Sequence, residues 1–199
     1  ASLGLSSDLL RAARDIMEGR PHPLDVGRFR DRYFCYTASF GAFTSTSYST
    51  PQNVKNVLGH AAYLLEGLKD LPNIRPRAVR LEADGQVYDG DYLFGAVCNS
   101  TSLGGVLKLS PGMVDMNDGL FETLLIRNPE NAIELQNIIT ALASRNYDNP
   151  MLNFVRAARL VFRPEPGMPW TLDGEFAEGA AEIVVENLHS AIELMGPGE

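Results

Sequence analysis

The stretch WTLDGEFAEG, Trp170 to Gly179, places two carboxylates, Asp173 and Glu175, on either side of one glycine, directly after an apolar run. In an extended chain both would project from one face, because side chains alternate along a strand. If Asp-Gly turns the chain, the strongest short hairpin signal, both sit at a tip. Either way two acids come close. A carboxyl beside another holds its proton more tightly, which suits a general base. A solvated hairpin tip is the plainer reading of the same residues. A retaining glycosidase also needs two acids about 5 Å apart, but no aromatic-rich sugar platform accompanies this pair.

A second acidic stretch is PGMVDMNDGLFE, where Asp115 and Asp118 lie three apart in a turn-rich segment before a strand. Hard cations such as Mg²⁺ take carboxylate and backbone carbonyl oxygens, and a turn can aim both at one point. The spacing is not that of an EF-hand: Gly119 is misplaced and no glutamate closes the loop. An ordinary Asp-Gly turn remains open as the alternative. Two polar, Gly-containing segments, SFGAFTSTSYST and NSTSLGGVLKLS, allow close backbone approach to a ligand, or simply join strands. His22, His60 and His189 have no ligand spacing and receive no role. Cys35 and Cys98 sit in apolar contexts without a CxxC, so buried thiols in a reducing compartment are expected.

The elements that would hold these residues alternate between few helices and many strands. SSDLLRAARDIMEG reads as a helix capped at Ser6 or Ser7, with Leu9, Ala13, Ile16 and Met17 on one face and Gly19 at its end. RPHPLDVG, with Pro21 and Pro23, reads as a connector. RYFCYTASFG reads as one buried strand, and NVKNVLGHAAYLLEGLKDL as a second helix. A β-rich block follows, broken at Asp84-Gly85, and a second Asp-Gly, Asp89-Gly90, precedes the apolar strand YLFGAVCN. LFETLLIR is a further strand candidate, and Asn128-Pro129 is expected to open a third helix. AARLVFRP, MPWTLDG, AEIVVEN and SAIELM close the chain as separate strands. This order predicts an α+β fold, mainly an antiparallel sheet or sandwich with about three helices.

The 199 residues allow one large domain or two small ones, with hydrophobic content of 45% to build a core. A net charge of −8 argues against a nucleic-acid partner and against a polybasic membrane anchor. No apolar run approaches the ~20 residues of a membrane span.

Taken in order, these segments resemble the bacterial diacylglycerol kinase-like lipid kinases, related to sphingosine kinases. PLDVGRF followed by RYFCYTASFG is similar to the family's "LDxG … F.N.aS.G" passage. VCNSTSLGGVLKLSPGMVDMNDGLFE is similar to its "N…fGGG…l.P.A…DGll" passage, and WTLDGE to its closing "DGE". The chain departs from the pattern in having Gly104 and Gly105 where relatives often have three glycines, and in the polar run TSTSYST.

The resemblance implies that this is the C-terminal part of a two-domain, ATP-dependent lipid kinase. The phosphate-binding glycine motif and a "GTxNDFA" segment would then lie upstream. On that reading residues 1–24 form a helix and connector belonging to or abutting the nucleotide-binding domain, and residues 25–199 form the β-rich domain. Glu175 matches the proton acceptor for the lipid hydroxyl, with Asp173 sharing or tuning that proton. Asp118 matches a side-chain ligand of Mg²⁺, and Asp115 and Leu120 match positions supplying oxygens around it, Leu120 through its carbonyl. The implied cofactors are Mg²⁺ and ATP, and the implied partner is a lipid substrate at a membrane surface. The implied location is cytoplasmic and peripheral to the membrane. An open sheet edge offers pairing into a homodimer. A non-catalytic lipid- or partner-binding β-domain is the alternative from another class.

Overall fold

A computed structural model of the chain describes residues 5–6, 8–41, 75–103, 107–109 and 111–197. The expected second helix, the run TSTSYST and the pair Gly104-Gly105 lie outside these residues. The first helix, α1, spans Leu9–Glu18, and its cap is Asp8, whose side chain accepts from the Arg11 amide, rather than Ser6 or Ser7. Gly19 ends it as expected. None of its residues is buried, and Leu9 and Met17 are 86% and 85% exposed.

The expected connector is instead a strand, β1, spanning Arg20–Phe29. Its partner along nearly the whole length is the last strand, whereas β2, Arg32–Phe34, covers only Gly27 to Phe29. Among the described residues the half carrying Pro21 and Pro23 therefore has one free edge, where a missing N–H costs no ladder bond. Gly27 is fixed by close approach: a Cβ there would lie 2.1 Å from the ring of Phe34, its cross-strand partner. The boundary expected between residues 24 and 25 falls inside this strand.

RYFCYTASFG forms two strands, β2 and β3 (Thr37–Gly41), separated by a corner at Cys35 and Tyr36. Next come β4, Arg77–Ala83, and β5, Gln86–Cys98, joined at Asp84-Gly85. Strand β5 includes Asp89-Gly90, so the strand expected to follow that pair begins earlier, at Gln86. Two short strands, β6 (Ser102–Leu103) and β7 (Leu107–Lys108), pair with each other and, among the described residues, with no other strand. Then follow β8, Phe121–Arg127, and helix α2, Ala132–Ser144. The cap of α2 is Asn131, not Asn128, because the Asn131 side chain accepts from both the Ile133 and Glu134 amides. The remaining strands are β9 (Leu152–Ala157), β10 (Arg159–Pro164), β11 (Trp170–Leu172), β12 (Glu175–Ala177) and β13 (Ile183–Gly196).

All but β6 and β7 form one eleven-stranded antiparallel sheet ordered β12-β11-β3-β5-β4-β10-β13-β1-β2, with β8 pairing β5 and β9. One face encloses an aromatic core: Trp170 packs its ring 5.1 Å from Phe29, 4.9 Å from Phe40 and 5.1 Å from Phe162. Those rings come from β11, β1, β3 and β10, so the sheet is curled upon itself. Leu124, Ile126 and Leu152 belong to a second core, which α2 covers with Ile138, Ala141 and Leu142. The fold is mainly antiparallel β with two α-helices among the described residues.

Candidate functional site

Asp173 and Gly174 turn the chain between β11 and β12 with φ of 49° and 93°, the backbone of a two-residue hairpin that suits Asp-Gly. The two carboxylates of this tip have different surroundings. The Asp173 carboxylate reaches across to the corner between β2 and β3. There it accepts from the amides of Cys35 at 2.6 Å, Tyr36 at 2.8 Å and Thr37 at 2.8 Å. These N–H groups belong to the strand break and would otherwise need another acceptor. The Asp173 amide closes the contact by donating to the Thr37 carbonyl at 2.9 Å. Arg32 pins the same edge by donating to the Phe176 carbonyl at 2.6 Å. Glu175, by contrast, is exposed, and among the described residues its carboxylate makes no hydrogen bond or ion pair. The pair is thus one carboxylate bound into the scaffold and one presented outward.

The acidic turn before β8 is organised by a residue not singled out in the sequence, Asp25 of β1. Its carboxylate is buried and accepts from the Gly119 amide at 2.7 Å, the Ser190 amide at 2.8 Å, Asn187 Nδ2 at 3.1 Å and the His189 ring at 2.9 Å. Its backbone amide donates to the Met116 carbonyl at 2.9 Å. Strand β13 bulges opposite Asp25, at the register shift between Leu24 and Val26, so Asp25 supplies an acceptor the ladder does not. Asn99 Nδ2 completes the hub by donating to the Asp25 carbonyl at 2.7 Å. The sequence signal was a charge between Leu24 and Val26 in PLDVG, which carries weight only once that segment is known to be a strand.

Within the turn, Asp115 Oδ1 accepts from the Asn117 amide at 3.0 Å, and Asp118 Oδ1 accepts from the Leu120 amide at 3.0 Å. The other Asp118 oxygen is bound by the Arg156 guanidinium. The Leu120 carbonyl accepts from Asn187 Nδ2 at 3.2 Å. Among the described residues no three His, Cys, Asp or Glu side chains gather as a metal site. The predicted Mg²⁺ donors therefore do not fit a divalent ion as arranged: Asp118 already carries a cation, and the Leu120 carbonyl and one oxygen of Asp115 have internal donors.

The two acidic motifs are connected through the sheet. Thr37 of β3 lies opposite Cys98 of β5, Cys98 opposite Glu122 of β8, and Glu122 opposite Arg156 of β9. Directly paired residues share a face, so these four side chains form one lateral polar row, with Asp173 at one end and Asp118 at the other. Thr37 Oγ1 and Cys98 Sγ are 3.3 Å apart, and burial pushes the Cys98 thiol up to about 12. Glu122 is completely buried and receives Arg156 Nε at 3.1 Å. Burial pushes its carboxyl up to about 7, against the pull of Arg156. Beside the row lies a cleft of about 740 Å³, walled by Met113, Val114, Met116 and Phe154, with Asp115 and Arg156 at its polar side. Glu175 does not line this cleft.

Residues 40–196 match the family described as the YegS C-terminal NAD kinase beta sandwich-like domain. This chain belongs to that family. The chain is 30% identical over 192 residues to the diacylglycerol kinase of Bacillus subtilis (strain 168), an alignment that takes in 96% of this chain and 63% of the relative. It is 34% identical over 198 residues to the diacylglycerol kinase of Staphylococcus carnosus (strain TM300), covering 98% of this chain and 63% of the relative. The chain thus spans less than two thirds of these relatives' length. Two solved structures from Bacillus anthracis str. Sterne share its fold, with TM-scores of 0.75 and 0.66 at 20% and 17% identity. Each alignment covers 98% of this chain, and 64% and 61% of theirs; the second is described as a diacylglycerol kinase.

Proposed function

We propose that this domain forms the acceptor half of an ATP-dependent lipid kinase, in which Glu175 takes the proton from the hydroxyl of a lipid such as diacylglycerol. The observation that carries this reading is the difference between the two acids of the hairpin tip. Asp173 is spent on three backbone donors, whereas Glu175 faces outward on a tip held from behind. A general base must come within hydrogen-bond reach of the proton it removes, and a carboxylate without an internal partner is available to do so. The names of the two curated relatives support the acceptor class.

Phosphoryl transfer depends on positioning and on neutralising charge more than on covalent help. ATP, with the Mg²⁺ that accompanies it in such reactions, would be bound mainly by the part of the relatives that this chain does not span. The residues here would orient the acceptor and hold its proton at Glu175 Oε. No described helix is long and apolar enough to cross a membrane. Access to the lipid would come by peripheral contact with a membrane from the cytoplasmic side.

The test is phosphate transfer from labelled ATP to diacylglycerol in vesicles by the full-length protein. Glu175→Gln should lower turnover by about 10²- to 10⁴-fold with vesicle binding unchanged. Undiminished turnover would remove Glu175 from the chemistry and favour a non-catalytic lipid-binding domain.

A further inference from the structure

Asp118 and the Leu120 carbonyl, two of the expected metal donors, already have partners within the chain. Asp118 and Glu122 are two carboxylates on one guanidinium: Arg156 binds Asp118 through one terminal nitrogen and Glu122 through Nε at 3.1 Å. Glu122 has no exposed surface, and among the described residues its other oxygen, Oε2, has no partner. A cation replacing Arg156 at Asp118 would pull the guanidinium from buried Glu122 and leave that carboxyl without its donor. The turn's shape is also fixed without an added ion, by Asp25 on the Gly119 amide, Asn187 on the Leu120 carbonyl and Asn117 on Asp115.

We propose that Arg156 is the resident cation of the acidic turn, and that its guanidinium, anchored by buried Glu122, stands where the sequence resemblance would place a divalent ion. The turn is then ordered independently of metal, and loss of Arg156 opens a divalent-cation site between Asp118 and Glu122. This concerns the turn alone and holds whether or not the protein phosphorylates a lipid.

The experiment is a thermal melt of the full-length protein without nucleotide, with and without millimolar Mg²⁺, on the natural protein, Asp118→Asn and Arg156→Met. Comparison with Asp118→Asn subtracts ions bound elsewhere. The natural protein should show no Mg²⁺-dependent shift beyond that of Asp118→Asn. Arg156→Met should gain about 5 °C, the size mass action gives at a hundredfold excess over Kd. A shift in the natural protein that Asp118→Asn abolishes overturns the proposal, as does an Arg156→Met protein that folds and gains nothing. If Arg156→Met does not fold, Mn²⁺ broadening of amide signals in the natural protein decides. Asp118 and Leu120 amides broadened no more than in the absence of Mn²⁺ support the proposal; selective broadening overturns it.

Discussion

Asp173 and Glu175 are separated by one residue and do different work. The hairpin itself was legible, because Asp-Gly after an apolar run encodes its own backbone. What Asp173 touches was not, since Cys35 to Thr37 lie 138 to 136 residues away and nothing local marks them as its partners. Spacing made the two acids neighbours, the family resemblance implied that Asp173 shares or tunes the proton, and three amide donors give Asp173 a structural task. The difference is measurable. Asp173→Asn should cost roughly 2–4 kcal/mol, because it weakens charge-assisted bonds to those donors. Glu175→Gln should stay within about 0.5 kcal/mol, as an exposed site does. Urea unfolding of both variants checks this, and a costly Glu175→Gln would mean that its carboxylate has a partner inside the fold.

Strands β1 and β13 carry the largest gap between sequence and structure. Two prolines made Arg20 to Gly27 read as a connector, because proline argues against a central strand; that the proline half borders a free edge appears only in three dimensions. The same pairing turns Asp25 from an unremarked acid into the acceptor for four donors. Asp25→Ala should therefore destabilise by about 3–5 kcal/mol, through orphaned N–H groups, read as a drop in the urea midpoint. The polar row through β3, β5, β8 and β9 gives a further expectation. Glu122 shifts from 4.5 to about 7 on folding, so the folded chain holds a proton that the unfolded chain has released between those values. Its contribution is fully present below about 4.5 and is lost as pH rises to about 7. Glu122→Gln should remove that part of the decline between pH 5 and pH 8, compared with the natural protein by urea melts at both pH values. An identical decline in both would show that Glu122 does not titrate there.

The curled sheet as a whole was readable as a class, since many short apolar runs with turn signals and few helices leave little else. The order of its strands was not, because partners such as β1 and β13 stand at opposite ends of the chain. Trp170 is where that global order is enforced, touching rings from three other strands. Trp170→Ala should cost about 3–5 kcal/mol and lower the single cooperative melting transition; an unchanged midpoint would mean that the faces meet elsewhere.

The Asp25 carboxylate and the Ser190 amide are 165 residues apart in sequence. A chain emerging from the ribosome has synthesised the acidic turn long before it has synthesised the strand that completes the carboxylate's ligands. Early and late segments must therefore wait for each other, and contacts of such long sequence separation slow folding. The turn before β8 matures only after translation has delivered the C-terminal strand, so a nascent chain stalled short of residue 187 holds Asp25 without three of its four donors.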